Sequence, residues 1–335
     1  MNPSIRMGIN LGNSLDAIGG EEAWGNPLTT RAMVEAYAAR GFDTLRIPVS
    51  WSLHMTPDAS VSAAWMRRVR QVVDWALDAG MNVILNTHHD NEQFYPSFAQ
   101  LPQALPRLCA MWRQIGEAFA DVDERLVLES LNEPRPAGQA EEWTGGTPES
   151  RQCLNAMNHA FVQAVRGSGG CNADRLLLVP TCAAAITPAA FDGFLLPKDP
   201  NIGLSLHTYD PRPFCFNHPE EHPVSVFGEA EERALTAVFA DIARLAAPFG
   251  VPIYVTEFGA VTKVDGAGRH NDGEVARYAR CFAALAEKTG VGCIWWDNNY
   301  YDAGDEWFGL MDRATQRWQL PETVAALLDK GGRKG

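Results

Sequence analysis

The sequence predicts a single (β/α)8 barrel, and three observations lead to this prediction. Eight short apolar or β-branched runs alternate with eight segments that have the period of an amphipathic helix. The length of 335 residues suits one such barrel. No Gly/Ser-rich linker divides the chain, and no G-x-G-x-x-G motif follows a strand, which disfavours a doubly wound dinucleotide-binding sheet. We therefore expect residues 1–335 to form one α/β domain that carries the activity.

The elements follow one another in a regular order along the chain. Strands are predicted over residues 7–11, 44–49, 82–87, 126–131, 175–180, 202–207, 252–257 and 293–297. Helices are predicted between and after them, over residues 30–40, 62–79, 103–120, 149–166, 187–191, 228–248, 273–288 and 321–329. Gly80, Gly167, Gly250 and Gly290 directly follow helical segments, where glycine favours the left-handed conformation that ends a helix.

Composition and charge narrow the choice of partners. The chain carries 28 Lys and Arg against 41 Asp and Glu, a net charge of −13. Nucleic acids and anionic membranes are bound through concentrated positive charge, so neither is an expected partner. The longest uncharged run, residues 176–191, contains two prolines and is too short to span a bilayer. Residues 1–7 hold no apolar segment of signal-peptide length, which leaves a cytoplasmic protein and an exported one with a removed leader as alternatives.

The seven cysteines are scattered along the chain without a C-x-x-C pair. This pattern predicts neither a zinc ribbon nor a redox dithiol. We expect most of these cysteines to be small buried apolar residues.

In a (β/α)8 barrel the reactive residues lie at the carboxyl ends of the strands. Polar and aromatic side chains collect there in this chain, near the ends of seven of the eight predicted strands: Asn13, Arg46, His88, His89, Asn132, Glu133, His207, Tyr209, Glu257 and Trp296. Their shared position in the repeat predicts one functional site at one end of the barrel.

Two of these residues, Glu133 and Glu257, are carboxylates that end otherwise apolar strands. An ionised carboxylate in such a place is costly to desolvate unless partners or function keep it there. A structural salt bridge would explain either residue alone, but two carboxylates facing each other across one barrel mouth favour catalysis. Paired carboxylates perform glycoside hydrolysis, in which one protonates the leaving oxygen and the other attacks C1 or activates water.

Short motifs at these strand ends resemble those of glycoside hydrolase family 5. They are Arg46-Ile47-Pro48-Val49, His88-His89-Asp90, Leu131-Asn132-Glu133-Pro134, His207-Thr208-Tyr209, Thr256-Glu257-Phe258-Gly259 and Trp295-Trp296-Asp297-Asn298. Residues 8–17 and the segment Ala23-Trp24-Gly25-Asn26-Pro27 are similar to the endoglucanase and xyloglucanase branch of that family. The resemblance runs in order from about residue 8 to residue 312 and implies a retaining β-glucanase with a (β/α)8 fold.

The resemblance implies that Glu133 is the general acid/base and Glu257 the nucleophile. Arg46 matches the arginine that bonds the nucleophile, where its charge would favour an ionised Glu257. A structural ion pair between Arg46 and Glu129 is the alternative, and both roles can coexist. We expect burial and the facing negative charge to keep Glu133 protonated.

The resemblance also implies a set of substrate-binding residues. Asn132 matches the residue that bonds the 2-hydroxyl of the sugar being cleaved. His207 and Tyr209 match a His-x-Tyr pair that lies near the acid/base and the nucleophile. Trp296 matches the floor on which a pyranose stacks, and we expect Trp24 to extend this platform toward the non-reducing end.

Three residues in or near the matching motifs have less specific roles. Asn13 and Asn298 are expected to contact substrate. For Trp143, which follows the fourth strand, packing within its loop is favoured over a place on the reducing-end side of the groove.

The two adjacent histidines allow more than one interpretation. His88 matches the family's third-strand histidine better than His89, which would support it. A metal site at His88-His89-Asp90 is not expected, because adjacent residues on a strand point to opposite faces.

These observations predict an enzyme that hydrolyses internal β-1,4 bonds of a glucan polysaccharide or oligosaccharide with retention, as a monomer and without a metal or other cofactor. Xyloglucan, mixed-linkage glucan and mannan are the alternative substrates for the same mechanism. A catalytically idle barrel that only binds oligosaccharide is the alternative of another class. The presence of both Glu133 and Glu257 argues against it.

Overall fold

A closed barrel of eight parallel strands forms the centre of the protein in a computed structural model, which describes residues 3–302 and 304–329. Each strand pairs with its neighbours in sequence, and the first pairs with the eighth to close the ring. The strands are β1 (Met7–Asn10), β2 (Thr44–Ile47), β3 (Asn82–Asn86), β4 (Leu126–Glu129), β5 (Leu177–Pro180), β6 (Ile202–His207), β7 (Ile253–Phe258) and β8 (Gly292–Trp295). The predicted (β/α)8 fold is confirmed.

Helices connect the strands around the outside of the barrel. They are α1 (Arg31–Arg40), α2 (Ala63–Asp78), α3 (Leu101–Ala118), α4 (Pro148–Gly167), α5 (Pro188–Phe191), α6 (Arg212–Cys215), α7 (Glu229–Asp241), α8 (Asp272–Thr289) and α9 (Pro321–Leu328). Four of them are capped at the start by a hydroxyl that accepts a first-turn backbone N–H; the capping residues are Thr30, Ser62, Thr147 and Thr187. None of the helices in the described ranges has the length and apolarity needed to cross a membrane.

A few elements differ from those predicted. Helix α7 ends at Asp241, where residues up to 248 were predicted to be helical; a wide turn (Ile242–Ala246) and a tight turn (Ala247–Phe249) follow it. Pro248 explains the difference, because it lacks an N–H and its ring clashes with the preceding helical turn. The short helix α6 and a hairpin of β9 (Met311–Asp312) and β10 (Arg317–Trp318) were not predicted.

The barrel interior changes from apolar to polar along the strands. Near the amino ends, a buried cluster fills it with Ile84, Val127, Leu178, Tyr254 and Ile294. Because side chains alternate between the two faces of a strand, residues two positions further along point into the same interior. Closer to the carboxyl ends, most strands contribute a polar side chain with no solvent exposure: Asn10, Arg46, Asn86, Glu129, Ser205 and Thr256. The larger apolar core lies between the barrel and the helices. The polar layer closes the barrel interior below the carboxyl ends of the strands and forms the floor on which a site at that end would rest.

Candidate active site

The two predicted carboxylates meet at the carboxyl end of the barrel, directly above the polar layer. Glu257 lies within β7, and Glu133 lies four residues beyond the end of β4. His207, the last residue of β6, lies between them. A carboxylate oxygen of each Glu and a ring nitrogen of His207 all lie within 4.8 Å of one another.

Glu257 is held from several sides. Arg46 Nη1 donates to Oε1 at 2.8 Å, and the Tyr209 hydroxyl donates to Oε2 at 3.0 Å. Burial, with the nearby carboxylates, raises the pKa of Tyr209 well above its usual value, so its hydroxyl keeps the proton that it donates. His88 Nε2 lies 3.9 Å from Oε1, and burial lowers the pKa of this imidazole, which is therefore neutral. These contacts fix both oxygens of Glu257.

Glu133 has different partners and more access to solvent. His207 Nδ1 lies 2.9 Å from its Oε1, and Arg135 Nη1 lies 3.6 Å from its Oε2. The Glu133 side chain is 18% exposed, whereas that of Glu257 is 6% exposed. The two carboxylates thus share His207 but differ in their opening to the groove.

Arg46 connects the candidate site to the polar layer below it. Its Nε donates to Glu129 at 2.7 Å, and its Nη2 donates to the Asn132 side-chain oxygen at 2.7 Å. That oxygen is occupied, and the Asn132 side-chain nitrogen donates to no other described residue. Arg46 therefore bonds both Glu257 and the structural Glu129, the two roles that the sequence left open.

The protonation of the site differs from the expectation. Burial favours a raised pKa for Glu133, but the hydrogen bond and charge of His207 outweigh burial and lower the pKa. Burial also lowers the pKa of His207, yet Glu257 and Glu133 outweigh it and raise that pKa. Burial is the largest influence on Glu257 and raises its pKa against His207 and Arg46. These shifts favour the ionised form of Glu133 and the protonated form of His207, the reverse of the expectation for Glu133.

An aromatic series leads from the carboxylates along the first, third and eighth loops. Trp296 is 8% exposed and lies parallel to His88, with ring centroids 5.5 Å apart. The His88 and His89 rings are 4.5 Å apart, and the His89 and Trp24 rings are 5.3 Å apart. The structure thus brings Trp296 and Trp24 to one wall, with both histidines between them.

The geometric argument against a shared histidine site is wrong. His88 and His89 follow the end of β3 at Asn86, so strand alternation does not apply to them and their rings lie together. One atom from each of Asp16, His88 and His89 lies within 4.8 Å of the other two, a donor set that could hold a divalent metal. Glu133, His207 and Glu257 form the other such group among the described residues.

Asn13 and Asn298 make local contacts in the loops that follow β1 and β8. Asn13 has a φ of 57°, and its backbone N–H donates to Asp16. The Asn298 amide donates to the carbonyl of Glu306 at 2.8 Å, and its oxygen accepts the N–H of Phe308 at 3.2 Å. These contacts support a structural role for Asn298 rather than a direct contact with sugar.

Sequence reasoning missed most of the polar floor. Asn10 accepts from Arg46, and Ser205 and Thr256 bond each other at 2.6 Å. Each is two residues from an inward-facing position of its strand, so period-two alternation could have identified them. Arg135, next to Glu133, was also missed, and only its place directly after the Asn132-Glu133-Pro134 motif could have indicated it.

Comparisons with known proteins agree with this geometry. Residues 9–302 match the family described as Cellulase (glycosyl hydrolase family 5). Endoglucanase A of Ruminococcus albus is 36% identical over 333 residues, which cover 97% of this chain and 90% of that protein. Some longer relatives are covered over 63% or 40% of their length.

Solved structures give the same result. A GH5-4 broad specificity endoglucanase from Clostridium acetobutylicum superimposes with a TM-score of 0.92 at 36% identity, covering 97% of both chains. XEG5A, a GH5 xyloglucan-specific endo-beta-1,4-glucanase from a metagenomic library, solved in complex with cellotriose, superimposes with a TM-score of 0.91 at 38% identity, covering 97% of this chain and 96% of that one.

Proposed function

This chain belongs to the cellulase family, glycoside hydrolase family 5, as a retaining endo-β-1,4-glucanase, and we propose that Glu133 is its general acid/base and Glu257 its nucleophile. The observation that carries this assignment is the closeness of the two carboxylates, whose oxygens approach within 4.8 Å. Direct attack on C1 requires a separation of about 5 to 5.5 Å, whereas activation of an intervening water requires roughly 6.5 to 9.5 Å. An approach this close between one oxygen of each carboxylate favours direct attack by Glu257.

The contacts support different catalytic roles for Glu257 and Glu133. Glu257 is fixed by Arg46 and Tyr209, which hold its oxygens in place for attack on C1. Glu133 is bonded to His207 at 2.9 Å, so this imidazole can return its proton when substrate displaces water from the groove. Glu133 then protonates the departing glycosidic oxygen as the Glu257–C1 bond forms.

The second half of the reaction reverses these roles. Glu133, now ionised, takes a proton from water while the water oxygen attacks C1 and Glu257 departs. The Asn132 amide nitrogen, oriented by Arg46, bonds the 2-hydroxyl, a contact that strengthens as positive charge develops on the sugar ring. Each step conserves protons and needs no further reagent.

Azide rescue tests both assignments. Glu133→Ala and Glu257→Gly should each lose at least about 10²-fold in turnover of soluble β-glucan. With an aryl β-cellobioside, azide should restore turnover to Glu133→Ala and yield the β-cellobiosyl azide, because azide replaces water and needs no general base. With Glu257→Gly, azide replaces the nucleophile and should yield the α-azide.

The control is Glu124→Gln, which alters an exposed Glu at the opposite end of the barrel and should keep wild-type turnover. Exchanged azide anomers, or more than about a tenth of wild-type turnover in either variant without azide, would show the assignment to be wrong.

The preferred glucan belongs to the same proposal. The match to XEG5A favours xyloglucan as a second substrate beside linear and mixed-linkage β-glucans. Mannan should be a poor substrate, since the axial 2-hydroxyl of mannose is misplaced for Asn132. Initial rates of reducing-end release on carboxymethylcellulose, barley β-glucan, xyloglucan and mannan test this order, and a preference for mannan would contradict it.

A further inference from the structure

We infer that Arg313, although fully buried, is a positioning residue for the reaction, because it holds the indole ring of Trp296 at the place where a sugar stacks. This inference rests on the proposed function, in which Trp296 is the surface beneath the sugar at the cleaved bond. Arg313 follows β9 in the hairpin after the eighth strand, outside the strand-end motifs that indicated the other site residues.

The first observation is that the guanidinium of Arg313 uses all of its donors. Nη1 donates to the carbonyl oxygen of Gly12 at 2.7 Å and to the Ser14 hydroxyl at 2.8 Å. Nη2 donates to the carbonyl and carboxylate oxygens of Asp297 at 2.6 Å and 3.1 Å. Nε donates to the Tyr37 hydroxyl at 3.1 Å. A planar fork with this set of partners is fixed in one position.

The second observation is the place of the acceptors in the barrel. Gly12 and Ser14 lie in the loop after β1, and Asp297 lies in the loop after β8, the two strands whose pairing closes the ring. The Gly12 N–H also donates to the Asp297 carbonyl at 2.9 Å. Because Asp297 directly follows Trp296, Arg313 joins the two loops at the side of this tryptophan.

The third observation is the contact between Gly12 and the indole ring. A Cβ at position 12 would lie 2.7 Å from both Cη2 and Cζ2 of Trp296, and 2.9 Å from the carbonyl oxygen of Asp297. The ring therefore packs directly against the α-carbon of Gly12, the residue whose carbonyl oxygen Arg313 holds. Since close packing leaves no free space at this contact, a shift of the Gly12 backbone moves the ring with it.

The position of the ring matters for the chemistry. A pyranose that stacks on Trp296 must lie where Glu257 can reach C1 and Glu133 can reach the glycosidic oxygen. A misplacement of about 1 Å, caused by a change distant from the reacting atoms, can lower a rate by about 10²-fold. Arg313 therefore acts on the reaction through Trp296, without contact with substrate.

A purely structural role is the alternative, because a buried arginine with several partners also stabilises the fold. The two roles predict different kinetics for folded protein. If Arg313 only stabilises the fold, replacing it lowers the activity by the same factor whether or not Trp296 is present. If Arg313 acts through Trp296, the kinetic loss disappears once the indole ring is removed.

The test is a double-mutant cycle on kcat/KM for cellohexaose. Arg313→Lys keeps the charge but loses the planar fork, and its kcat/KM should fall by about 5- to 10-fold, the loss of one stacking contact. This loss should not exceed that of Trp296→Ala. In the Trp296→Ala background, Arg313→Lys should cost less than about twofold. Arg317→Lys, which alters an exposed arginine of the same hairpin, is the matched control and should keep wild-type kcat/KM.

A second readout follows the ring directly, by fluorine NMR of protein labelled with fluorotryptophan. The Trp296 signal is the one that Trp296→Phe lacks, and Arg313→Lys should shift or broaden it. Gly12→Ala, which leaves Arg313 in place, should move the same signal, because the new Cβ would overlap the ring. The signals of Trp51 and Trp112, which bond near β3 and β4, should stay where they are.

The outcomes separate this inference from the proposed function. Equal losses for Arg313→Lys in the two backgrounds, or an unchanged Trp296 signal in that variant, would overturn the inference. If Arg313→Lys does not fold, Gly12→Ala decides, and a Trp296 signal at its wild-type position would overturn it as well. A wild-type protein that is inactive on cellohexaose would instead refute the proposed function.

Discussion

Arg46 pairs with two carboxylates through one fully buried guanidinium. It bonds Glu129 at 2.7 Å and Glu257 at 2.8 Å, and its remaining donors reach Asn10 and Asn132. Charges removed from water are tolerated only when such partners are complete, and removal of one partner leaves the other uncompensated. The fold and the nucleophile therefore depend on the same side chain.

Replacement of Arg46 should destabilise the protein. Arg46→Met is expected to lower the free energy of unfolding by about 3–5 kcal/mol, because Glu129 remains buried without its charge partner. The double variant Arg46→Met/Glu129→Met should recover most of this loss. Urea unfolding followed by tryptophan fluorescence measures both values, and a loss below about 1 kcal/mol in the single variant would contradict the account.

His207 should make stability depend on pH. Its pKa is raised, because Glu257 and Glu133 outweigh burial, with Arg46 opposing them. A raised pKa stabilises the fold below the ordinary value of 6.5, and this contribution disappears as the pH rises through the folded-state pKa. The lowered pKa of Glu133 acts in the opposite sense, stabilising above its ordinary value of 4.5 and less as the pH falls.

Between pH 4.5 and pH 6.5, the ordinary pKa values of the two groups, both His207 and Glu133 stabilise the fold. His207→Gln should therefore cost more free energy of unfolding at about pH 5.5 than at about pH 9. Urea unfolding at the two pH values measures the difference. Replacement of the exposed His159 by Gln is the matched control. Equal costs for His207→Gln at both pH values would show that its charge does not stabilise the fold.

At the scale of elements, Arg175 joins the end of α3 to the start of β4. This buried side chain donates to the backbone carbonyls of Phe119, Val122, Asp123 and Leu126 at 2.7 to 3.0 Å. Burial lowers its pKa to about 10, so it remains charged at neutral pH. A cation that satisfies several carbonyls at a helix end fixes the connection between helix and strand.

Loss of this residue should be costly. Arg175→Met is expected to lower the free energy of unfolding by at least about 3 kcal/mol, because several buried carbonyls lose their donor. The nearby Arg125 makes a part-exposed pair with Asp123, and Arg125→Ala should cost less than about 1 kcal/mol. Chemical denaturation of the two variants distinguishes them, and similar values would contradict this role for Arg175.

The elements that the sequence predicted are those decided by local pattern. Apolar runs located the eight strands, and position at strand ends located Glu133 and Glu257. The end of α7 was missed although Pro248 lies within the predicted segment. The contact between the rings of His88 and His89 was missed, because it depends on where β3 ends. The local sequence pattern does not determine that point.

Long-range contacts explain what else could not be predicted at the site. The raised pKa of His207 depends on carboxylates 74 and 50 residues away along the chain, which only the closed barrel brings together. The exposure of Trp143 depends on how its loop packs against α5. No periodicity or motif spacing contains this information.

For the molecule as a whole, one end of the barrel gathers both carboxylates and the aromatic side chains beside them. Trp296 and Trp24 lie on one wall beside the carboxylates, with His88 and His89 between them. Aromatic rings that extend away from the carboxylates can hold further units of a glucan chain, which fits the endo cleavage of this family.

Viscosity measures this property directly. Wild-type protein should lower the viscosity of carboxymethylcellulose rapidly relative to the reducing ends released, since internal cuts shorten chains fastest. Trp24→Ala should lower kcat as well as affinity for long chains, because distant stacking helps to distort the sugar at the bond that breaks. Trp24→Phe is the matched control and should retain most of the rate; a slow fall in viscosity with wild-type protein would contradict the endo mode.

The central claim is that Glu257 forms a covalent bond to the sugar with Glu133 as acid/base, and trapping that bond tests it most directly. In a dinitrophenyl 2-fluoro-β-cellobioside, the fluorine slows both steps while the good leaving group restores the first, so the glycosyl-enzyme accumulates. Intact-protein mass spectrometry should show the addition of one fluorocellobiosyl group, and peptide mapping should locate it on Glu257. A label on Glu133, or no label from an enzyme that turns over the corresponding cellobioside, would contradict the account.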